Sequence, residues 1–373
     1  MEDIHEAPLE VADAPAAEEP GERARQEVAI FSALRYASNV SFAVLSLLLH
    51  FADVASSVAF AILMLVHRNA APVTEAKLDF TLWASLVLAL HLLAGVLVNA
   101  ASMAESYSVR EIPCRFRPRE ILVCLVPWSL SWWSMFRHVG VAARGEVSVS
   151  VLERAAHTRL LHAVFEAAPQ GVIQAYFLMR TYVWWVPLLS VCISLASATF
   201  SYTFFVVYKY YDNAREFPAP WKVLLVALNA LFTNGGRTFA TAMLAFAQQP
   251  WIAAVWVLFI AALNLVRWKM KTWENDRLTR IHIISLLETL FVATTRQKTV
   301  YTTFVYAVFT FVFMQRFHVH VLAWTMWGIT FGALALGLAL TLATWGVYFR
   351  AYEELIFPSE SGQKRNAEEY DIT

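Results

Sequence analysis

His162, Glu166, Gln170 and Gln174 recur every four residues inside the otherwise apolar stretch LLHAVFEAAPQGVIQAYFLMR, 160–180. Four residues advance a helix by about 400°, so these side chains form one slowly drifting stripe about 18 Å long. An imidazole, a carboxylate and two carboxamides in a row can hold a proton, pair with a charge or hydrogen-bond a passing polar group. Pro169 lies within the stripe; it removes a backbone N–H and is expected to kink the helix. A second stripe, Asn229, Thr233, Arg237 and Thr241, has the same spacing, and Gly235 and Gly236 stand just before its arginine as a second expected kink. Asp53 and Glu288 are further acids inside apolar segments. A charge at mid-membrane costs about 2.5–3.5 kcal/mol on insertion scales, so such groups should face an interior or one another. Asp53 and Arg237 fall at similar depth, and an Asp53–Arg237–Glu166 cluster is allowed. His50, His91, His318 and His320 read as core or interfacial histidines. No HExxH, GxSxG, P-loop or paired-carboxylate spacing appears, and Cys114, Cys124 and Cys192 fit neither a metal site nor a disulfide framework. The expectation is therefore no enzyme, no metal and no cofactor.

The elements that must position these groups are helices. The chain has 373 residues, 58% hydrophobic and only 16% charged, with a mean hydropathy of +0.51. A soluble domain carries about 25% charge, so the composition points to an integral membrane protein. The formal net charge of zero gives no reason to expect a nucleic-acid partner. Ten apolar segments are read at 40–66, 78–101, 121–136, 158–180, 183–206, 223–247, 251–266, 282–295, 299–314 and 321–349. A span needs about 20 residues, so the short third and eighth are expected to be re-entrant half-helices. With those two dipping back to the side they came from, most of the 29 Lys and Arg fall on one side, Arg159 among them. Only Arg68, Lys77 and Arg316 fall on the other, and Arg180 and Arg237 lie at or in the membrane. The positive-inside rule makes the basic side cytosolic.

The expected fold is thus an all-α integral membrane protein with about eight transmembrane helices plus two re-entrant half-helices, in two pseudo-symmetric parallel repeats. Its parts are a disordered acidic cytosolic tail (1–39), a first membrane repeat (40–206), a second (207–349) and a short cytosolic tail (350–373). Both termini are cytosolic. The basic loop WKMKTWENDRLTR, 268–280, reads mainly as a product of topology and could also attract anionic headgroups.

AVFEAAPQGVIQAYFL, 163–178, resembles the F-x-E-x-x-P-Q-x-x-x-Q-x-Y segment of the XK-related family, which includes caspase-activated phospholipid scramblases. Glu166, Pro169, Gln170, Gln174 and Tyr176 stand at the matching places. FADVASSVAFAI, 51–62, is similar to the family's first span, with Asp53 at the first of two acids and Ser57 in place of the second. ISLASATFSYTFFVVYKYYD (193–212) and WKVLLVALNALFTNGGRTFATAMLAF (221–246) resemble the next segments, with Arg237 at the arginine position; ISLLETLF (284–291) brings Glu288 to the family's acid. The resemblance implies lipid scrambling between leaflets without ATP, a plasma-membrane location, and partners such as a single-span subunit or a bulk lipid-transfer protein. In some members a caspase cuts the C-terminal tail and the exposed lipid marks dying cells; the stretch after 350 holds no DxxD site.

On this reading membrane phospholipids are the partners, their headgroups sliding past His162, Glu166, Gln170, Gln174 and Arg237 through one common opening. The rivals are a membrane scaffold or receptor that recruits a lipid-transfer protein, and a small-solute or ion transporter using Asp53 and Arg237. A homodimer is compatible with either.

Overall fold

The computed structural model describes residues 20–67, 80–109, 118–145, 148–180, 185–214, 220–248, 296–317 and 321–344, with isolated positions between 251 and 258. Glu288, the segments expected at 282–295 and over most of 251–266, the basic loop, His318, His320 and both distal tails lie outside the described residues. The described part is nearly all helical, with no strand.

Helix α1 spans Pro20–His67, α2 Phe80–Val109, α3 Pro118–Leu125, α4 Ser129–Ala143 and α5 Val149–His162. A π turn, Ala163–Ala167, joins α5 to α6, Ala168–Arg180. Then come α7 (Trp185–Ala214), α8 (Pro220–Ala247), α9 (Arg296–Phe317) and α10 (Val321–Thr344). Four windows are long and apolar enough to cross a bilayer: Val40–Val66, Thr81–Met103, Trp185–Tyr208 and Ala323–Ala343. The outer surface carries Leu48, Leu82, Leu93, Trp133, Ile329 and many other large exposed apolar side chains, while Asp53, His162, Glu166 and Arg237 are enclosed. Apolar outside and charged inside is the arrangement that hydrocarbon imposes and water forbids. The protein is a helical membrane protein.

Two expectations about the elements are corrected. The tail expected over 1–39 gives way to helix at Pro20. Residues 22–35, ERARQEVAIFSALR, are rich in Ala, Glu, Arg and Gln, all good helix formers, and proline is well placed in a first turn. The half-helix expected over 121–136 is two helices, α3 and α4, broken at Val126-Pro127-Trp128. Pro127 cannot continue α3's hydrogen-bond ladder, and Trp128 takes a left-handed backbone, φ 66°. The break leaves backbone groups without helical partners, and Asn99 of α2 meets them. Its amide donates to the carbonyls of Cys124 (3.3 Å) and Val126 (2.7 Å) and to Ser129 Oγ (3.2 Å). Its carbonyl accepts from the Leu130 N–H (3.2 Å). Gly95, one turn earlier on α2, lets this tip approach: a Cβ there would sit 2.8 Å from both Pro127 Cβ and Trp128 Cε2.

The α5–π–α6 rod is the centre of the bundle. From Val151 to Phe177 almost every side chain is buried, on all faces, against α1, α2, α4, α7 and α8. One apolar cluster (Leu152, Leu160, Tyr202, Phe204, Tyr208, Val226) surrounds its first half. Another (Phe60, Met64, Val87, Tyr176, Phe177, Leu244, Phe309, Leu334) surrounds its far end. The polar residues lie in the layer between them.

Candidate functional site

Pro169 acts on the rod through the turn before it. A proline at 169 leaves the carbonyl of Phe165 without its helical donor, and the backbone widens into the π turn over Ala163–Ala167. That widening holds Glu166 inside the bundle, 1% exposed. Glu166 Oε1 is hydrogen-bonded to His91 Nδ1 of α2, and its Oε2 lies 2.8 Å from His162 Nε2. The same His162 nitrogen is 3.7 Å from Asp53 Oδ2 of α1. Ser194 Oγ of α7 donates to Asp53 Oδ1 (2.8 Å) and has Gln174 Oε1 at 3.2 Å. Asp53, His162, Glu166 and His91 thus each lie within 4 Å of the next across three helical elements, and Ser194 links Asp53 to Gln174.

Gln170 is the next member of the stripe; its Nε2 donates to the Val87 carbonyl (3.1 Å). His162, Glu166, Gln170 and Gln174 therefore share one interior, as their spacing predicts. Their partners come from α1, α2 and α7, and α1 and α7 carry matching stripes of their own. On α1 these are Ser46, His50, Asp53 and Ser57, and on α7 Ser190, Ser194, Ser197 and Ser201, all at steps of four, three and four and all at most 2% exposed. A four-three-four step keeps side chains on one helix face, so two polar faces meet along the α1–α7 seam.

His50 and His91, expected as core or interfacial histidines, are buried, and they border this centre. The His50 ring lies 4.4 Å from that of His162, and the Trp128 ring is 5.1–5.5 Å from those of His50, His91 and His162. The tip between α3 and α4 therefore abuts the polar centre. Arg159, counted as cytosolic, is fully buried. Its Nη2 donates to Ser197 Oγ (3.4 Å), its Cζ is 5.7 Å from the Phe200 ring, and it is the cation within electrostatic reach of both Asp53 and Glu166. Hydropathy cannot separate a buried arginine at a segment's edge from a flanking one.

Arg237, in turn, is not the partner of those acids. It faces α9, where its Nη2 donates to Thr302 Oγ1 (2.7 Å) and its Cζ lies 5.7 Å from the Tyr306 ring. The rest of its stripe serves packing. Asn229 Oδ1 accepts from Thr233 (3.2 Å) and from Thr341 of α10 (2.9 Å). Nor do Gly235 and Gly236 break α8, which is continuous through them. Gly236 instead allows α10 to lie close, since a Cβ there would be 2.9 Å from Leu334 Cδ2 and 3.0 Å from its backbone nitrogen.

The expected common opening is absent from this conformation. Asp53, Arg159, His162, Glu166, Gln170 and Gln174 are all at most 1% exposed. Several of their polar atoms nevertheless lack hydrogen-bond partners: Arg159 Nε and Nη1, His162 Nδ1, Gln170 Oε1 and Gln174 Nε2, with both nitrogens of His50. The fold and the site together define a class, a helical membrane protein closed around a charged and incompletely hydrogen-bonded interior. Comparison with protein-family models and with curated proteins finds no match.

Proposed function

We propose that the protein is a phospholipid scramblase of the XK-related kind, in a closed conformation, and that the column from Arg159 to Gln174 takes the headgroup when the bundle opens. The observation that carries this reading is the set of buried polar atoms left without partners along the central helix. An unmet buried hydrogen-bonding group costs about 1–3 kcal/mol, so a conformation that admits water or a zwitterionic headgroup recovers part of that cost. The acyl tails stay in the bilayer, no bond is made or broken, and no ATP is used. The substrate class rests on the resemblance of 163–178 to the family segment. The rest of the proposal is eight spans and two re-entrant elements in parallel repeats, cytosolic termini, a plasma-membrane location, and a single-span subunit or a lipid-transfer protein as partner.

The test uses vesicles containing purified protein and a fluorescent phospholipid quenched from outside by dithionite. Loss of the protected inner-leaflet signal is expected, and Glu166→Leu with Gln170→Leu should slow it at least tenfold while the protein still elutes as a single folded species. An unquenched inner leaflet in protein-containing vesicles would favour the scaffold reading. A second reading, a small-solute or ion transporter, is favoured by the closure of the column at both ends, which suits a small occluded cargo. Voltage-driven current in the same vesicles, without lipid movement, would select it.

A further inference from the structure

Among the described residues two arginines are enclosed, and their surroundings differ. Arg159 has the carboxylates of Asp53 and Glu166 within electrostatic reach. Arg237, 2% exposed, has none paired with it among the described residues, and its Cζ lies 5.7 Å from the Tyr306 ring. One guanidinium nitrogen is bonded to Thr302; Nε and Nη1 have no partner. Asn234, three residues earlier on α8 and so on a neighbouring part of its surface, is 4% exposed, and neither atom of its amide has a partner. Thr241, one turn beyond Arg237, donates its hydroxyl to the Arg237 carbonyl (2.9 Å).

An arginine stays protonated in proteins, so it cannot shed its charge to suit the surroundings. A buried cation that meets no carboxylate among the described residues, next to an amide without a hydrogen-bond partner, suits a negative ligand. We propose that Arg237 and Asn234 of α8, with Arg237 braced by Thr302 of α9, bind a compact anion, and that this site is separate from the acid–histidine centre. A free inorganic ion and the phosphate of a lipid headgroup offer the same chemistry: a small negative charge with acceptors for N–H donors. The proposal does not depend on lipid movement, so a protein that fails to scramble could still bind the anion.

The experiment follows thermal unfolding of the full chain by tryptophan fluorescence in an uncharged detergent. In one arm sodium gluconate, a bulky reference anion, is replaced stepwise by chloride or inorganic phosphate at constant ionic strength. In another, gluconate is kept and the micelles carry either phosphatidic acid or diacylglycerol. A saturable rise of several degrees in the midpoint is expected in at least one arm. A rise with inorganic ions identifies a free ion as ligand; a rise with phosphatidic acid alone identifies the lipid phosphate. The rise should vanish in Arg237→Gln, shrink in Asn234→Leu and persist in Glu166→Gln. Flat midpoints in every arm, or a rise that survives Arg237→Gln, would overturn the proposal. If Arg237→Gln does not fold, an Asn234→Leu protein that responds like the wild type would overturn it equally.

Discussion

Glu166 is held by two imidazoles from different helices, His91 on one carboxylate oxygen and His162 near the other. Removing it strands both, and the penalty for an unmet buried partner exceeds the net gain from a made bond. Glu166→Leu is therefore expected to destabilise the fold by about 2–4 kcal/mol, whereas Glu166→Gln, which keeps shape and one acceptor, should cost about half as much. Denaturant titration in detergent reads both; equal costs would mean that the histidines do not depend on the acid. Much of this centre was legible in the chain. The four-residue spacing from His162 to Gln174 required a common face, and Pro169 announced a distortion of the backbone. His50 was legible in principle, because Ser46, His50, Asp53 and Ser57 keep one face of α1 as regularly as the stripe that drew attention. His91 had no such signal on α2, and only the packing of α2 on the π turn shows its role. Arg159 stands at the edge of the 158–180 segment, and hydropathy does not reveal that a charge at such an edge is enclosed. The pairing of Arg237 with Asp53 failed for a related reason: similar depth fixes one coordinate of three.

At the level of elements, the break between α3 and α4 depends on one side chain. Asn99 meets four groups at the tip, three of them backbone. Asn99→Leu should remove a bond from each of those groups and speed amide exchange over 126–132 by at least tenfold, with exchange in α7 unchanged. Uniform exchange rates would assign the tip's order to its tryptophan alone. The glycines of α8 give a sharper contrast, since adjacent positions face different neighbours. A methyl at Gly236 meets Leu334, backbone included, within 3.0 Å; one at Gly235 meets only Leu195 Cδ1 at 3.9 Å. Gly236→Ala should cost about 1–3 kcal/mol through overpacking, and Gly235→Ala should be neutral or stabilising by up to about 1 kcal/mol through helix propensity. Thermal midpoints of the two variants check this, and a reversed order would contradict the α8–α10 crossing. Sequence fixed the kind of element well, because long apolar runs in a chain this poor in charge leave little else to form. It fixed their ends poorly. The start of α1 at Pro20 follows from helix propensity, which a hydropathy window ignores. The division of 121–136 into two helices follows from Pro127 and from a tertiary bond to Asn99 that no local pattern records.

Among the described residues the polar layer lies between two apolar clusters along the central helix, so moving a charged group past either end requires that cluster to part. Phe204 is the best-placed member of the cluster around the first half of the central helix. It is 2% exposed, stacks on His138 of α4 at 5.5 Å, and packs against Phe42 of α1 at 5.7 Å and Phe200 of α7 at 6.0 Å. One ring thus ties together three helices that border the column. Truncating it removes those contacts, and a buried Phe→Ala change costs about 3–5 kcal/mol in a protein that packs well. If the closed state depends on this ring more than the open state does, part of that loss falls on the closed state alone and shifts the balance between them; a differential of about 1.4 kcal/mol would raise the open population tenfold wherever it is a minor one. Phe204→Ala is therefore expected to lower the thermal midpoint and at the same time to raise basal lipid movement several-fold in the dithionite assay. Adding Glu166→Leu to it should bring the rate back down, because a wider entrance does not replace the polar groups beyond it. A Phe204→Ala protein that is destabilised yet no faster, or slower, would mean that this cluster is only structural and that headgroups enter the interior by another face of the bundle.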